Sequence, residues 1–224
     1  MSPANMVTLF YMVAMHVWLE QGMVPPSPEI ERALTDMILA GSDSATSYIM
    51  DVLSGTTSGP ELPPGPNETW QYQRNIVNRY FHQLGWPELR GVNMNQKLWP
   101  HSPYGRESAF LEKALENKNM LTTEATARLL HSIVGGVSVS SRRSQAMMSC
   151  LKASNTSLSR IWSLISETPQ LHHSATYIET EDTHPYLLVI FTEVEHNQNN
   201  SVATFVSDRI LAAAQQAFTS TEAV

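Results

Sequence analysis

Cysteine is almost missing from this chain. Cys150 is the only one in 224 residues, which excludes an internal disulfide framework. Lysine is scarce and unevenly placed: Lys97, Lys113, Lys118 and Lys152 are all there are, with none in the first 96 residues or the last 72. Chemistry that needs an ammonium group finds none in either stretch. No basic cluster occurs, and the net charge is -7, which argues against nucleic-acid binding. A glycine-rich phosphate loop and a dinucleotide fingerprint are both absent, so no cofactor is expected. Histidine gathers only at His172-His173, His184 and Glu195-His196. That spacing fits no zinc pattern, so these read as polar strand-face and loop histidines, with no metal expected.

Long apolar runs are also few. Residues 6–19 form the one candidate, and they are too few to span a bilayer. No Lys or Arg precedes the run, no small-residue cleavage pattern follows it, and His16 interrupts it. It is expected to be a buried helix of a soluble, cytoplasmic domain. A hydrophobic content of 42% with 16% charged residues describes an ordinary folded chain, long enough to bury a sizeable core.

What is present reads first as helix. Residues 5–21 are apolar almost all round and place this helix centrally, with Gly22 ending it. Ser27 before Pro28 is an N-cap with Pro at the first helical position, and Ile30, Ala33, Leu34, Met37 and Ile38 keep a 3, 4 spacing. A helix follows over about 43–53. Residues 54–68 are rich in Gly, Pro, Ser and Thr and read as a surface loop. Residues 69–84 return to helix, and 86–106 read as a packed irregular surface loop. Thr122 caps a helix running to Val134, and another covers about 141–151. Then the period changes: 161–165, 175–179 and 186–194 read as three strands, the last apolar enough for burial on both faces. A helix over about 202–218 closes the chain. Helices first and antiparallel strands late make an α+β fold, taken as one domain over 1–224 with a helical part to about 152.

The organising stretch is Gly41-Ser42-Asp43-Ser44, ahead of the 43–53 helix. With the apolar helix ending at Gly22, Asn119-Met120-Leu121-Thr122-Thr123, Ile161-Trp162-Ser163 and Leu187-Leu188-Val189-Ile190-Phe191-Thr192, it resembles the class A β-lactamase and penicillin-binding-protein group of serine hydrolases. The resemblance covers nearly the whole chain. It implies a serine nucleophile activated by a lysine in Ser-x-x-Lys, a Ser-Asp-Asn motif, a Lys-Thr-Gly strand and, in β-lactamases, a deacylating Glu.

The matching positions depart from that set. Counted back from Gly22, Asn5 and Thr8 stand where Ser and Lys would be; a register on Ser2 through Asn5 also lacks the lysine. Ser42-Asp43-Ser44 keeps the hydroxyl and the carboxylate but has Ser44 for the amide. Ser42 reads either as a proton shuttle or as the cap of the next helix. Leu164-Ile165-Ser166 fills the strand position without a lysine, and Arg160 lies two residues before Trp162 rather than after it. Glu107 falls near the deacylating position and equally reads as a solvated loop carboxylate. Ser149-Cys150-Leu151-Lys152 fits Ser-x-x-Lys literally but sits too late in the chain.

The expectation is a catalytically degenerate homologue, a pseudoenzyme, with a binding or scaffold role for a small molecule or protein in the old cleft. The alternative is an enzyme of altered chemistry using Ser42, Asp43 and Glu107 with His172 or His173. Without the family's N-terminal strands, 186–194 would leave one edge unpaired. Either the chain continues upstream, or a partner or second copy covers that edge.

Overall fold

The computed structural model describes residues 2–99, 101–112, 117–155, 159–167, 171–180 and 183–193, with the single positions Arg209 and Ala212. The expected 202–218 helix and Glu195-His196 lie outside them.

A 3-10 turn over Ala4–Val7 leads into α1 (Thr8–Glu20). Every residue from Met6 to Leu19 is buried. A helix with no polar face is stable only when enclosed. Around it pack α2 (Pro28–Leu39), α3 (Asp43–Ser54), α5 (Ile76–Gln83), α7 (Thr123–Val134) and α8 (Ser141–Cys150). The end of α1 follows from Gly22 at φ 71, where the Met23 N–H donates back to Trp18 O at 2.9 Å in a Schellman-type closure. The caps behave as read: Ser27 accepts from Ile30 N (3.2 Å), Ser42 from Ala45 N (3.2 Å) and Thr122 from Ala125 N (3.1 Å).

Among the described residues the sheet has four strands in sequence order, all antiparallel: β1 (Lys152–Asn155), β2 (Ser159–Glu167), β3 (Leu171–Thr180) and β4 (Thr183–Glu193). Register pairs Leu164 with Ala175 and Ser166 with His173. All four side chains are buried on one face, whereas Ile165 between them is 43% exposed. Helix α7 lies against β3 and β4, and the 3-10 turn lies against β2 and β3. The head of α1 is therefore wedged between the helices and the sheet.

Several expectations need correction. Four strands form among the described residues rather than three. The extra one, Lys-Ala-Ser-Asn, has no apolar alternation and pairs as the leading antiparallel neighbour of β2. The 69–84 helix is two helices, α4 (Pro64–Arg74) and α5, broken at Asn75, whose ψ of 11° leaves the helical range. Helix α4 starts inside the expected loop because Pro64 occupies its first turn, where the missing N–H has no helical partner to lose. The 86–106 segment is not a surface loop: Val92–Lys97 is buried, and α6 (Gly105–Glu112) follows. Tyr186–Phe191 is half-buried rather than buried, because β4 is an edge strand; Leu187, Val189 and Phe191 take the core side.

Candidate functional site

The turn entering α1 is strained. Ala4 has φ 43, a left-handed conformation unfavourable for a residue with a Cβ. It holds Asn5 at the junction of three elements. The Asn5 N–H donates to Ser166 Oγ on β2 at 3.0 Å, and its carbonyl accepts from Thr8 Oγ1 at 2.7 Å. Its side-chain amide lies against the turn before α3, where a Cβ on Gly41 would stand 3.0 Å from Asn5 Nδ2. Asn5, Thr8, Ser166 and the Gly41-Ser42 turn thus converge from distant parts of the sequence.

Their chemistry is neutral. Thr8 and Ser166 are buried hydroxyls; Leu164 is buried in the core, and Ile165 points away from Ser166. Ser42 Oγ is occupied as the cap of α3, while Asp43 opens that helix, where its charge suits the dipole. Ser44 is exposed. Arg160 is turned to an ion pair with Glu179 at 2.5 Å, so it does not supply the missing cation. His173 accepts from Thr192 N at Nδ1 (3.2 Å), which leaves Nε2 to donate to Ser2 O (2.9 Å). It ties the segment at Ser2, ahead of the 3-10 turn, to the sheet. His172 points to the opposite face of β3. Ser149 donates to Ala146 O of its own helix at 2.7 Å, remote in the chain from this junction.

Beside Ala4 is a cavity of ≈ 240 Å³, lined among others by Ser2, Gln96, Lys97, Trp99 and Asn119. Side-chain amides fix its wall. Asn119 Oδ1 accepts from Asn95 N (3.1 Å) and Gln96 N (3.0 Å), and its amide donates to Gln96 O (2.9 Å). Asn78 Oδ1 accepts from Met94 N at 2.6 Å, and Asn78 also bonds Asn93. Tyr11, reaching out of α1, donates to Gln96 O at 2.7 Å; burial raises its pKa, so it stays a phenol. These amides give the buried 94–96 backbone partners, while Asn93 exchanges backbone hydrogen bonds with Met120.

Behind that wall lies a buried set of charges that sequence reading missed. Arg74 and Glu107 are both fully buried and paired at 2.5 Å. Lys97, nearly as buried, lies 2.8 Å from Asp51 and 3.9 Å from Glu107; Arg74 is 3.6 Å from Asp51. Ser58 joins them, donating to Glu107 Oε1 (2.9 Å) and accepting from Lys97 Nζ (2.9 Å). Glu107 is therefore no solvated loop carboxylate: α6 buries it among two cations, because an unpaired carboxylate could not remain there. Burial pushes the Arg74 pKa down, opposed by Glu107 and Asp51.

The quartet is balanced, two positive against two negative. A serine between a carboxylate and an ammonium resembles an activated nucleophile, but each partner is disarmed. Glu107 Oε1 also accepts from Arg74, and Lys97 also donates to Asp51, so each neighbour of Ser58 is engaged by an opposite charge. Asp51 lies nine residues along α3 from Ser42, about 13 Å of helix. The structure therefore joins Glu107 to Asp51 and does not bring it to Ser42. Asp51, Ser58, Arg74 and Lys97 share no helical period or short motif. The one usable signal was Lys97, an unusual lysine in a lysine-poor chain, amid the amides of Val92-Asn93-Met94-Asn95-Gln96.

A central buried helix, an antiparallel sheet against its head and a Ser-Asp turn beside that head define the serine-hydrolase architecture shared by β-lactamases and penicillin-binding proteins. The model of the Beta-lactamase enzyme family matches residues 18–214, and the chain belongs to that family. The match begins downstream of Asn5 and Thr8, so those two positions rest on their place at the head of α1. Similar solved structures include a β-lactamase from Sphaerobacter thermophilus (15% identity, TM-score 0.59, covering 86% of this chain and 74% of that one). PBP-A is another (14%, TM-score 0.60, 100% and 82%), as is a class A β-lactamase from Mycobacterium abscessus (10%, TM-score 0.59, 99% and 85%). At these identities the likeness is one of fold. No curated protein matches the sequence. No helix among the described residues is long and apolar enough to cross a membrane, and no group of metal-binding side chains occurs among them.

Proposed function

We propose that this protein is a catalytically silent member of its family that acts by binding at the head of α1. The observation that carries this is Asn5. It occupies the strained turn facing Ser166 and the Ser42 turn, with Thr8 one helical turn on, so that position offers an amide and a hydroxyl instead of a nucleophile and its base. An amide is not a nucleophile at neutral pH, and a serine without a base is a weak one. The adjoining cavity, with amide groups on its wall and exposed Lys118 at its rim, supports retention of a small polar ligand. Pairing of a second copy along β4 belongs to the same proposal; a sedimentation measurement giving a monomer at high concentration removes it.

The test is hydrolysis of a chromogenic cephalosporin at micromolar protein, together with thermal shift in penicillin G. The expected result is no hydrolysis above buffer. Saturable hydrolysis that disappears in Ser42→Ala would establish the altered-chemistry alternative, with Ser42 as its nucleophile.

A further inference from the structure

The far half of α1 carries a second site. His16 lies eight residues beyond Thr8, about 12 Å along the helix, in a run otherwise free of titratable groups except Tyr11. It is 4% exposed, and neither ring nitrogen has a hydrogen-bond partner among the described residues. A neutral imidazole holds one donor and one acceptor, and burying either without a partner is costly. Apolar helices seldom place such a group without something to meet it.

The ring lines a cavity of ≈ 260 Å³ between α1, α2 and α8, room for a small molecule and not merely one water. Leu19, Ile30 and Leu34 supply apolar walls, and Cys150 and Ser149 lie on the α8 side. Arg143 reaches the cavity too, but its Nε already donates to Glu20 Oε2 at 2.8 Å, with Arg142 on the same carboxylate oxygen at 3.3 Å. Its charge is therefore answered from outside. We propose that this cavity binds a small uncharged molecule with an apolar body and one hydroxyl group, the hydroxyl hydrogen-bonded by His16.

Two further features fit that class. Burial, aided by Arg143, lowers the His16 pKa to about 4, so the ring is neutral at pH 7 and can donate or accept, as a hydroxyl can. Burial also raises the Cys150 thiol, which leaves it a weakly polar wall group rather than a thiolate.

The experiment uses the full chain with nitrogen-15 in its histidine rings, titrated at pH 7 with benzyl alcohol, toluene and benzoate. Benzyl alcohol is expected to move the His16 ring resonances saturably and to bind about tenfold more tightly than toluene, the margin of one hydrogen bond. His16→Leu is expected to erase that margin, and His16→Gln, which keeps a donor and an acceptor, to retain part of it. The wild-type comparison stands even if His16→Leu does not fold. No saturable shift with benzyl alcohol, equal affinity for toluene, or a preference for benzoate would each overturn the assignment, the last by showing an anion site built on Arg143.

Discussion

The head of α1 and the charge quartet near Tyr11 both adjoin one buried helix, and they are built in opposite ways. At the head, side chains from three elements meet in a strained turn with no charge among Asn5, Thr8 and Ser166. In the quartet, Asp51, Arg74, Lys97 and Glu107 are brought from α3, α4, a loop and α6 with complete charge balance, and Ser58 is held between them. The first brings an amide and two hydroxyls together, with no ionisable side chain among those three residues. The second has reactive groups, but each is neutralised by its neighbours. The difference teaches that a convergence of titratable residues marks chemistry only when one of them is left underpaired. Here the paired set works as a clasp, fixing the 93–97 wall that bounds the cavity at the head.

The sharpest way to break this comparison is to unpair the clasp. Arg74→Met strands Glu107 as an unanswered buried carboxylate and should cost about 3–5 kcal/mol. Adding Glu107→Leu should recover much of it, since two apolar residues replace a balanced pair. Urea unfolding of the three proteins checks this; a single-variant loss below about 1 kcal/mol would show that the charges do not hold the wall.

A smaller effect comes from pH. His16 has a folded pKa near 4, below its unfolded value of 6.5. The unfolded chain takes up that proton first, so stability is complete above pH 6.5 and falls as pH drops toward 4, by at most about 3 kcal/mol. Unfolding at pH 7 and pH 4.5 for wild type and His16→Gln isolates the contribution, because Arg143 and Glu20, the charges that act on His16, are common to both. An identical pH slope in the two proteins would contradict the burial of His16.

Two effects of about 1 kcal/mol probe the head itself. Ser42→Ala removes the cap of α3 and should destabilise by about 1 kcal/mol. Ala4→Gly relaxes a positive φ and should stabilise by about 0.5–1 kcal/mol, the reverse of the usual penalty for introducing glycine. Thermal melts report both. A destabilised Ala4→Gly would mean that the left-handed turn is not the resting conformation.

How much of this could be read beforehand depends on the range of the interactions. Local signals carried well: the caps at Ser27, Ser42 and Thr122, the all-round apolar run of α1 and the 3, 4 spacing of α2 are properties of a few adjacent residues. The neutral character of the motif positions was also legible, because lysine is missing from the sequence itself. The buried 92–97 segment was not legible. Its backbone at residues 94–96 is met by Asn78 and Asn119 from elsewhere in the chain, and such amide tethers leave no period. Glu107 looked solvated because its partners stand 33 residues away at Arg74 and 49 away at Ser58. Strand β1 was hidden for a related reason, since its antiparallel pairing with β2 leaves no mark in its own composition.

The proposal of catalytic silence requires that no serine among the described residues be an activated nucleophile. Intact-protein mass spectrometry after separate incubation with a reactive penicillin and a fluorophosphonate tests it most directly. The account predicts unmodified mass from folded protein with both reagents. A stoichiometric adduct mapped to Ser42, Ser58 or Ser149 would contradict it and would name the residue that the surrounding charges have left active.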